Sequence, residues 1–261
     1  MTYLITALDA EARAIIEHYR LKRITPLPHT LYAGNNILLL VTGMGKINPL
    51  MAISAMLGWR IPQRNDIVIN IGICGAPSEY AIQEALLVHQ IIDHEKRYYP
   101  DILYPHTLRE TSLICVDTPQ YSPSKFPVDM ESSAVFKAAS KFFKLHQMAF
   151  LKIVSDHFTP DCITKEEVTE HIRSHLKSLE FIIQALQNAH IETILFTSEE
   201  REKIEIFKQH FTKSQANSLE DALCFFRLKY RTGTIVLPYE LPNSKRERSM
   251  LLEEFITTLT A

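Results

Sequence analysis

Apolar runs bounded by turn residues recur along most of the chain, at about residues 3–8, 29–33, 36–42, 66–71, 84–93, 112–117 and 147–154. Stretches with helical spacing lie among them, at about 9–20, 45–58, 129–145 and 164–189. Strand-length runs alternating with helix-length patterns predict an α/β fold, because such strands bury their faces only where helices cover them. Segment 84–118 carries strands with little helix between them, which predicts a mixed, strongly bent sheet rather than a simple doubly wound one. Beyond residue 190 the pattern starts afresh: a strand at 191–196 (IETILF), helices at 198–212 and 217–230, a strand at 233–239 (GTIVLPY) and a helix at 244–259. Two parts are therefore expected, a main domain over 1–189 and a small βααβα extension over 190–261. In the last helix Met250, Leu251, Leu252, Phe255, Ile256 and Leu259 recur at helical spacing, so that helix should pack on a core.

Composition narrows the partners. A formal charge of −2 without a clustered excess of Lys and Arg argues against nucleic acid or an acidic membrane surface and leaves a small-molecule ligand as the expectation. Cys74, Cys115, Cys162 and Cys224 are far apart and form no CxxC, so neither a disulfide framework nor a zinc site is expected, and a reducing cytoplasm fits. No apolar run approaches the roughly 20 residues that span a bilayer.

The chain has only seven glycines, fewer than the usual share of about 7%. Four of them fall in VTGMGK (41–46) and INIGICGA (69–76), each directly after a strand. Glycine there permits positive φ and close approach of backbone to a ligand, although a plain strand-to-helix turn would use it in the same way. Neither stretch has the spacing of a dinucleotide fingerprint or a P-loop.

The acids differ in their surroundings. On a helix running from 129 to 143, Glu131 falls on the stripe of Ala134, Val135, Ala138 and Phe142, while Asp129 points the opposite way. Asp129 thus reads as a solvated acid at a helix start. Glu131 reads either as a buried carboxylate satisfied by amides or a lysine, or as an acceptor for a polyhydroxylated ligand. Asp9 and Glu11 in LDAEARAII resemble ordinary first-turn acids, and Asp156 ends the apolar strand LKIVSD, where α/β proteins collect ligands. Glu167, His171 and His175 share a helix face amid charged neighbours and read as a solvated face rather than a metal trio. No GxSxG elbow is present.

Taken in order, ALDAEA (7–12), VTGMGK (41–46), INIGICGA (69–76), VDMESSAV (128–135) and KIVSD (152–156) resemble the motifs of the purine nucleoside phosphorylases, most closely the methylthioadenosine/S-adenosylhomocysteine nucleosidases. The likeness covers roughly 1–189. It implies a three-layer α/β/α sandwich around a mixed, partly closed sheet, and cleavage of a purine N-ribosidic bond without a cofactor or metal, in a homodimer. It implies Asp156 as the acid that protonates the purine, Glu11 as the base that activates water, and Glu131 as the holder of the ribose hydroxyls with Met130 packed on the sugar. Ser155, Lys152, Gly43, Gly75, Cys74 and Ile73 would line the substrate. Within the family an aspartate at 156 goes with 6-aminopurines, and Asn70 stands where hexameric phosphorylases carry a phosphate-binding arginine, so adenine and water are implied.

Three departures stand out. Ile73 replaces a small or hydroxylic residue, Lys152 replaces an arginine, and the segment 117–127 (DTPQYSPSKFP) is shorter than the loop that carries the base-stacking aromatic. The ring would then come from Tyr121, Phe126, Phe158 or a neighbouring subunit. A phosphate-dependent phosphorylase using Lys46 or Lys152, and a nucleoside-binding protein without turnover, are the alternatives.

Overall fold

The computed structural model describes residues 1–189, 195–230, 234–238 and 240–260, which fall into two units, Met1–His190 and Ile191–Ala261. The first unit runs β1 (Thr2–Thr6), α1 (Asp9–Tyr19), β2 (Lys22–Ile24), β3 (Thr30–Gly34), β4 (Ile37–Val41), α2 (Ile47–Trp59), β5 (Ile67–Gly75), β6 (Ala85–Asp93), β7 (Lys96–Tyr98), β8 (Arg109–Cys115), β9 (Val128–Asp129), α3 (Ser132–Ala139), β10 (Met148–Asp156), α4 (Lys165–Ser174) and α5 (Leu176–Ala189).

Alternation along each strand builds the three expected layers. Tyr3, Ile5, Leu38 and Leu40 face α2 and α3, whereas Leu4, Ile37, Leu39, Ile69 and Ile71 face α1, α4 and α5. β5 is the hub: it lies parallel to β1 and β10 and antiparallel to β9. The path β5–β10–β6–β8–β9 returns to β5, so half of the sheet closes on itself while β1–β4–β3–β2 forms an open wing. The mixed, bent sheet is the one expected from the strand-rich middle, its partial closure is what the resemblance implied, and the closure brings the carboxyl ends of β5 and β10 and the short β9 to one place.

Several boundaries differ from the sequence reading. Residues Val128 and Asp129 are not helical. They pair with Ile114, Cys115 and Gly75, and α3 begins only at Ser132, with Glu131 as its N-cap residue. α2 starts at Ile47, after both glycines of its loop, and the helix expected over 164–189 breaks at His175 into α4 and α5. No helix among the described residues is long and apolar enough to cross a membrane.

The second unit has α6 (Ser198–Lys208), α7 (Lys213–Lys229) and α8 (Lys245–Thr260) around Phe196, Phe207, Leu219, Leu223, Leu252 and Leu259. Thr197 and Thr212 open α6 and α7 with capping boxes, each hydroxyl accepting an N–H three residues on. Met250, expected in the packed face of α8, is 60% exposed. Most of the strand expected at 191–196 lies outside the described residues. In the strand expected at 233–239, the described residues 234–238 are irregular, so the βααβα pattern is seen only as its helices.

Candidate active site

A cavity of about 300 Å³ opens where β5, β9 and β10 end, and Glu11, Glu131 and Asp156 all line it. Glu11 is only 2% exposed because it sits in the first turn of α1 and turns inward. Its Oε2 accepts the amides of Ala7 (2.8 Å) and Leu8 (2.9 Å), and its Oε1 accepts that of Ile73 (2.9 Å). The reading of Glu11 as an ordinary first-turn acid is thereby overturned: Leu8 has no side-chain cap to offer, and the third helical position reaches back to cap the backbone instead. Gly72 makes room for it, since a Cβ there would stand 2.7 Å from Glu11 Oε1. Burial raises the pKa of Glu11, against the lowering effect of the three amides and Lys152.

Glu131 is held from the first glycine loop: its Oε1 accepts the amide of Gly45 at 2.7 Å. Gly43 and Gly45 both have positive φ, 85° and 83°, which turns that amide towards the acid. Burial, and then the charge of Asp129, push Glu131 up to about 8.

Asp156 owes its position to an irregularity. The register of β10 against β5 shifts between Val154 and Asp156, leaving Ser155 as an extra residue, so consecutive side chains that would point to opposite faces both line the cavity. Asp156 Oδ1 accepts the amide of Thr159 (2.8 Å), and Oδ2 lies 2.6 Å from Ser155 Oγ, which is itself 3.1 Å from the carbonyl oxygen of Cys74. Gly75 leaves the space, with Asp156 Oδ1 3.3 Å from where its Cβ would be.

Asp129 corrects the sequence reading most clearly. It is buried rather than solvated, and its Oδ2 meets Lys152 Nζ at 2.9 Å and accepts the amide of Ser132 at 3.0 Å. The phase that set it opposite Glu131 extended a helical rotation over residues that belong to a strand. Burial works to lower the pKa of Lys152, but Asp129, Glu131 and Glu11 outweigh it and the net shift is upward. Asp129 Oδ1 has no partner and its residue lines the cavity.

Of the other expected site residues, Met130, Ser155, Ile73, Cys74 and Gly75 line the cavity. Lys152 and Gly43 do not: Lys152 lies beneath it with Asp129, and Gly43 shapes the loop while its neighbour Met44 reaches the cavity. Tyr121 is exposed and donates to Asp161, Phe158 is buried elsewhere, and neither they nor Phe126 lines the cavity. The walls are aliphatic instead, with Leu8, Met44, Val116, Pro119 and Val168 among them. One basic side chain, Lys165, lines the cavity, whereas Lys46 is paired with Asp93 and Asp117 at 2.7 Å each. The three residues of the supposed solvated face part company: Glu167 caps Thr164, His175 meets the Gln83 carbonyl, and His171 is buried. Among the described residues no group of three or more His, Cys, Asp or Glu is placed to hold a metal ion.

No model of a known protein family matches the sequence, and no curated protein does. Solved structures do match, and they show the fold, which is the one shared by the structures that follow. The chain is similar to the 5′-methylthioadenosine/S-adenosylhomocysteine nucleosidase of S. pneumoniae in complex with a transition-state inhibitor, at 16% identity and a TM-score of 0.59, over 71% of this chain and 99% of that one. The corresponding enzyme of Colwellia psychrerythraea in complex with adenine aligns at 15% identity and a TM-score of 0.57, over 71% of this chain and 93% of that one. Futalosine hydrolase of Helicobacter pylori aligns at 16% identity and a TM-score of 0.55, over 70% and 97%.

Proposed function

We propose that this protein hydrolyses the N-ribosidic bond of a 5′-modified adenosine such as 5′-methylthioadenosine, S-adenosylhomocysteine or 5′-deoxyadenosine, releasing adenine. The observation that carries this reading is the convergence of three acids, each seated by main-chain amides, on one aliphatic cavity. Cleavage passes through a ribosyl cation, which needs an acid at the departing base and a base for the incoming water. Ser155 has one hydroxyl proton, yet its oxygen lies near both the Cys74 carbonyl and Asp156 Oδ2. A proton on Asp156 lets both contacts form, with Ser155 donating to the carbonyl, and that proton is the one the purine would take. Glu11, its pKa raised by burial, is a stronger base than an exposed carboxylate and is the group offered to the attacking water. Glu131 would hold the ribose hydroxyls, with Met130 beside the sugar.

Water rather than phosphate is the nucleophile in this proposal: Lys46 and Lys152, the expected anion contacts, are committed to Asp93, Asp117 and Asp129, which leaves Lys165 as the basic side chain on the cavity wall. Ile73 serves Glu11 through its amide, a donor every residue but proline offers, so its bulk leaves that seat intact. A homodimer belongs to the same reading, supported by Met44, Ile47 and Met51, apolar side chains that are 61%, 71% and 62% exposed, the first of them on the cavity wall. So does a cytoplasmic location, in keeping with four free cysteines. The test is a nucleoside panel assayed by chromatography with and without phosphate. Adenine release without phosphate, lowered by about 10²–10⁴-fold in Asp156→Asn, is expected. A strict phosphate requirement would make the protein a phosphorylase, and tight binding without turnover would make it a binding protein.

A further inference from the structure

Asp156 faces two cavities. Beyond the one already described lies a second, of about 290 Å³, which shares Ser155, Asp156 and Ile163 with the first. Its other walls come from the segment after β10, with His157, Thr159 and Cys162, and from α4, with Glu167 and His171. Cys162 and Glu167 are exposed, so this cavity is open to solvent on the α4 side. At roughly 30 Å³ per water molecule it has room for several.

His171 is the unexplained group on this wall. It is 6% exposed, and its Nδ1 is covered and without a hydrogen-bond partner. A buried ring nitrogen left unpaired is destabilising, and nothing in the proposed bond cleavage uses it. The groups that face it are Glu167 and Glu170 on α4, His175 just past its end, and Asp156, His157 and Cys162 across the cavity. α1, packed against α4, meets it through Thr169, which donates to the Ala10 carbonyl at 2.8 Å, and through the Arg173–Glu17 pair. Burial holds the pKa of His171 below its ordinary value, with His175 adding to this and the two glutamates opposing it, so the ring is poised to pass a proton on rather than keep it.

The proton balance gives the second cavity a task. When the C1′–N9 bond breaks, its electron pair goes to the purine, Asp156 gives a proton to the ring nitrogen, water adds its hydroxyl to C1′, and Glu11 takes the remaining proton. The cycle closes only when Glu11 has lost one proton and Asp156 has regained one. While adenine occupies the main cavity, the free approach to Asp156 is from behind. We propose that the second cavity is a proton port, in which water ordered by His171 re-protonates Asp156 from solvent. This inference rests on the reading of Asp156 as the acid, and His171 acts on the reaction only through Asp156.

Two variants test it with the full chain and 5′-methylthioadenosine. His171→Ala removes the relay, and Cys162→Trp plugs the cavity from an exposed position. Each should leave the first turnover at its normal rate, because in the proposed reaction Asp156 enters the cycle carrying its proton, but slow steady-state turnover by about tenfold with KM unchanged. The result is a burst of one equivalent of adenine, and added imidazole should restore the steady rate of His171→Ala. A purely structural histidine would slow both phases and resist rescue, which would overturn the port. If His171→Ala fails to fold, Cys162→Trp decides alone, and a normal steady rate in it overturns the port. Absence of adenine release by the unaltered protein would sink the functional reading and the port together, whereas release with both variants unimpaired sinks the port only.

Discussion

Each acid of the cavity depends on a neighbour that can be altered. Gly72→Ala would press a Cβ against Glu11 Oε1, which three amides hold in place, so the variant should lose about 1–3 kcal/mol of stability and most of its activity. A shifted urea midpoint together with slower adenine release would show both effects. Lys152→Met leaves Asp129 buried without its cation and should cost about 3–5 kcal/mol, read from the same midpoint. Glu131 yields a pH prediction. Its unfolded form loses its proton near pH 4.5, while the folded form keeps it to about 8, so the unfolded state binds fewer protons in between and stability falls as pH rises through that window. Between about pH 5 and 8 the urea midpoint should therefore decline, and Glu131→Gln should flatten the decline. At this scale the identities of Glu11, Glu131 and Asp156 were legible in the sequence, but their seats were not, because the amides that hold them come from residues up to 86 positions away.

Elements were legible where period and length agreed and obscure where an element was short. The two-residue strand β9 left no periodic trace, so Asp129 was absorbed into the helix that follows and its buried pairing with Lys152 was missed. The extra residue at Ser155 was equally silent, although it gives Asp156 its direction. At the start of α4, Thr164 and Glu167 form a capping box at the rim of the cavity, a pattern the sequence reading passed over in taking Glu167 for part of a solvated face. Thr164→Ala should destabilise α4 by about 1 kcal/mol, seen as faster amide exchange in its first turn. His171, on the same helix, was misread because its charged sequence neighbours suggested a wet face, whereas its ring turns towards Asp156's second cavity.

In the whole molecule, the alternation of strands and helices was enough to reach α/β layering, and the helix-poor middle pointed to the bent sheet. The ring closure through β10 and β5 was not readable, since pairing of distant strands leaves no local pattern. The first unit holds two apolar cores of its own, one on each face of the sheet. A chain ending at residue 189 should accordingly unfold in one cooperative transition and retain adenine release, with calorimetry and the chromatographic assay as the checks. The main-chain seating of the acids also bears on how such a site withstands sequence drift. An amide donor survives almost every substitution, so what must persist is a few glycines, three acids and the course of the backbone. The rest of the chain is free to change while the shape is kept, and this fold is indeed shared with structures at 16% identity.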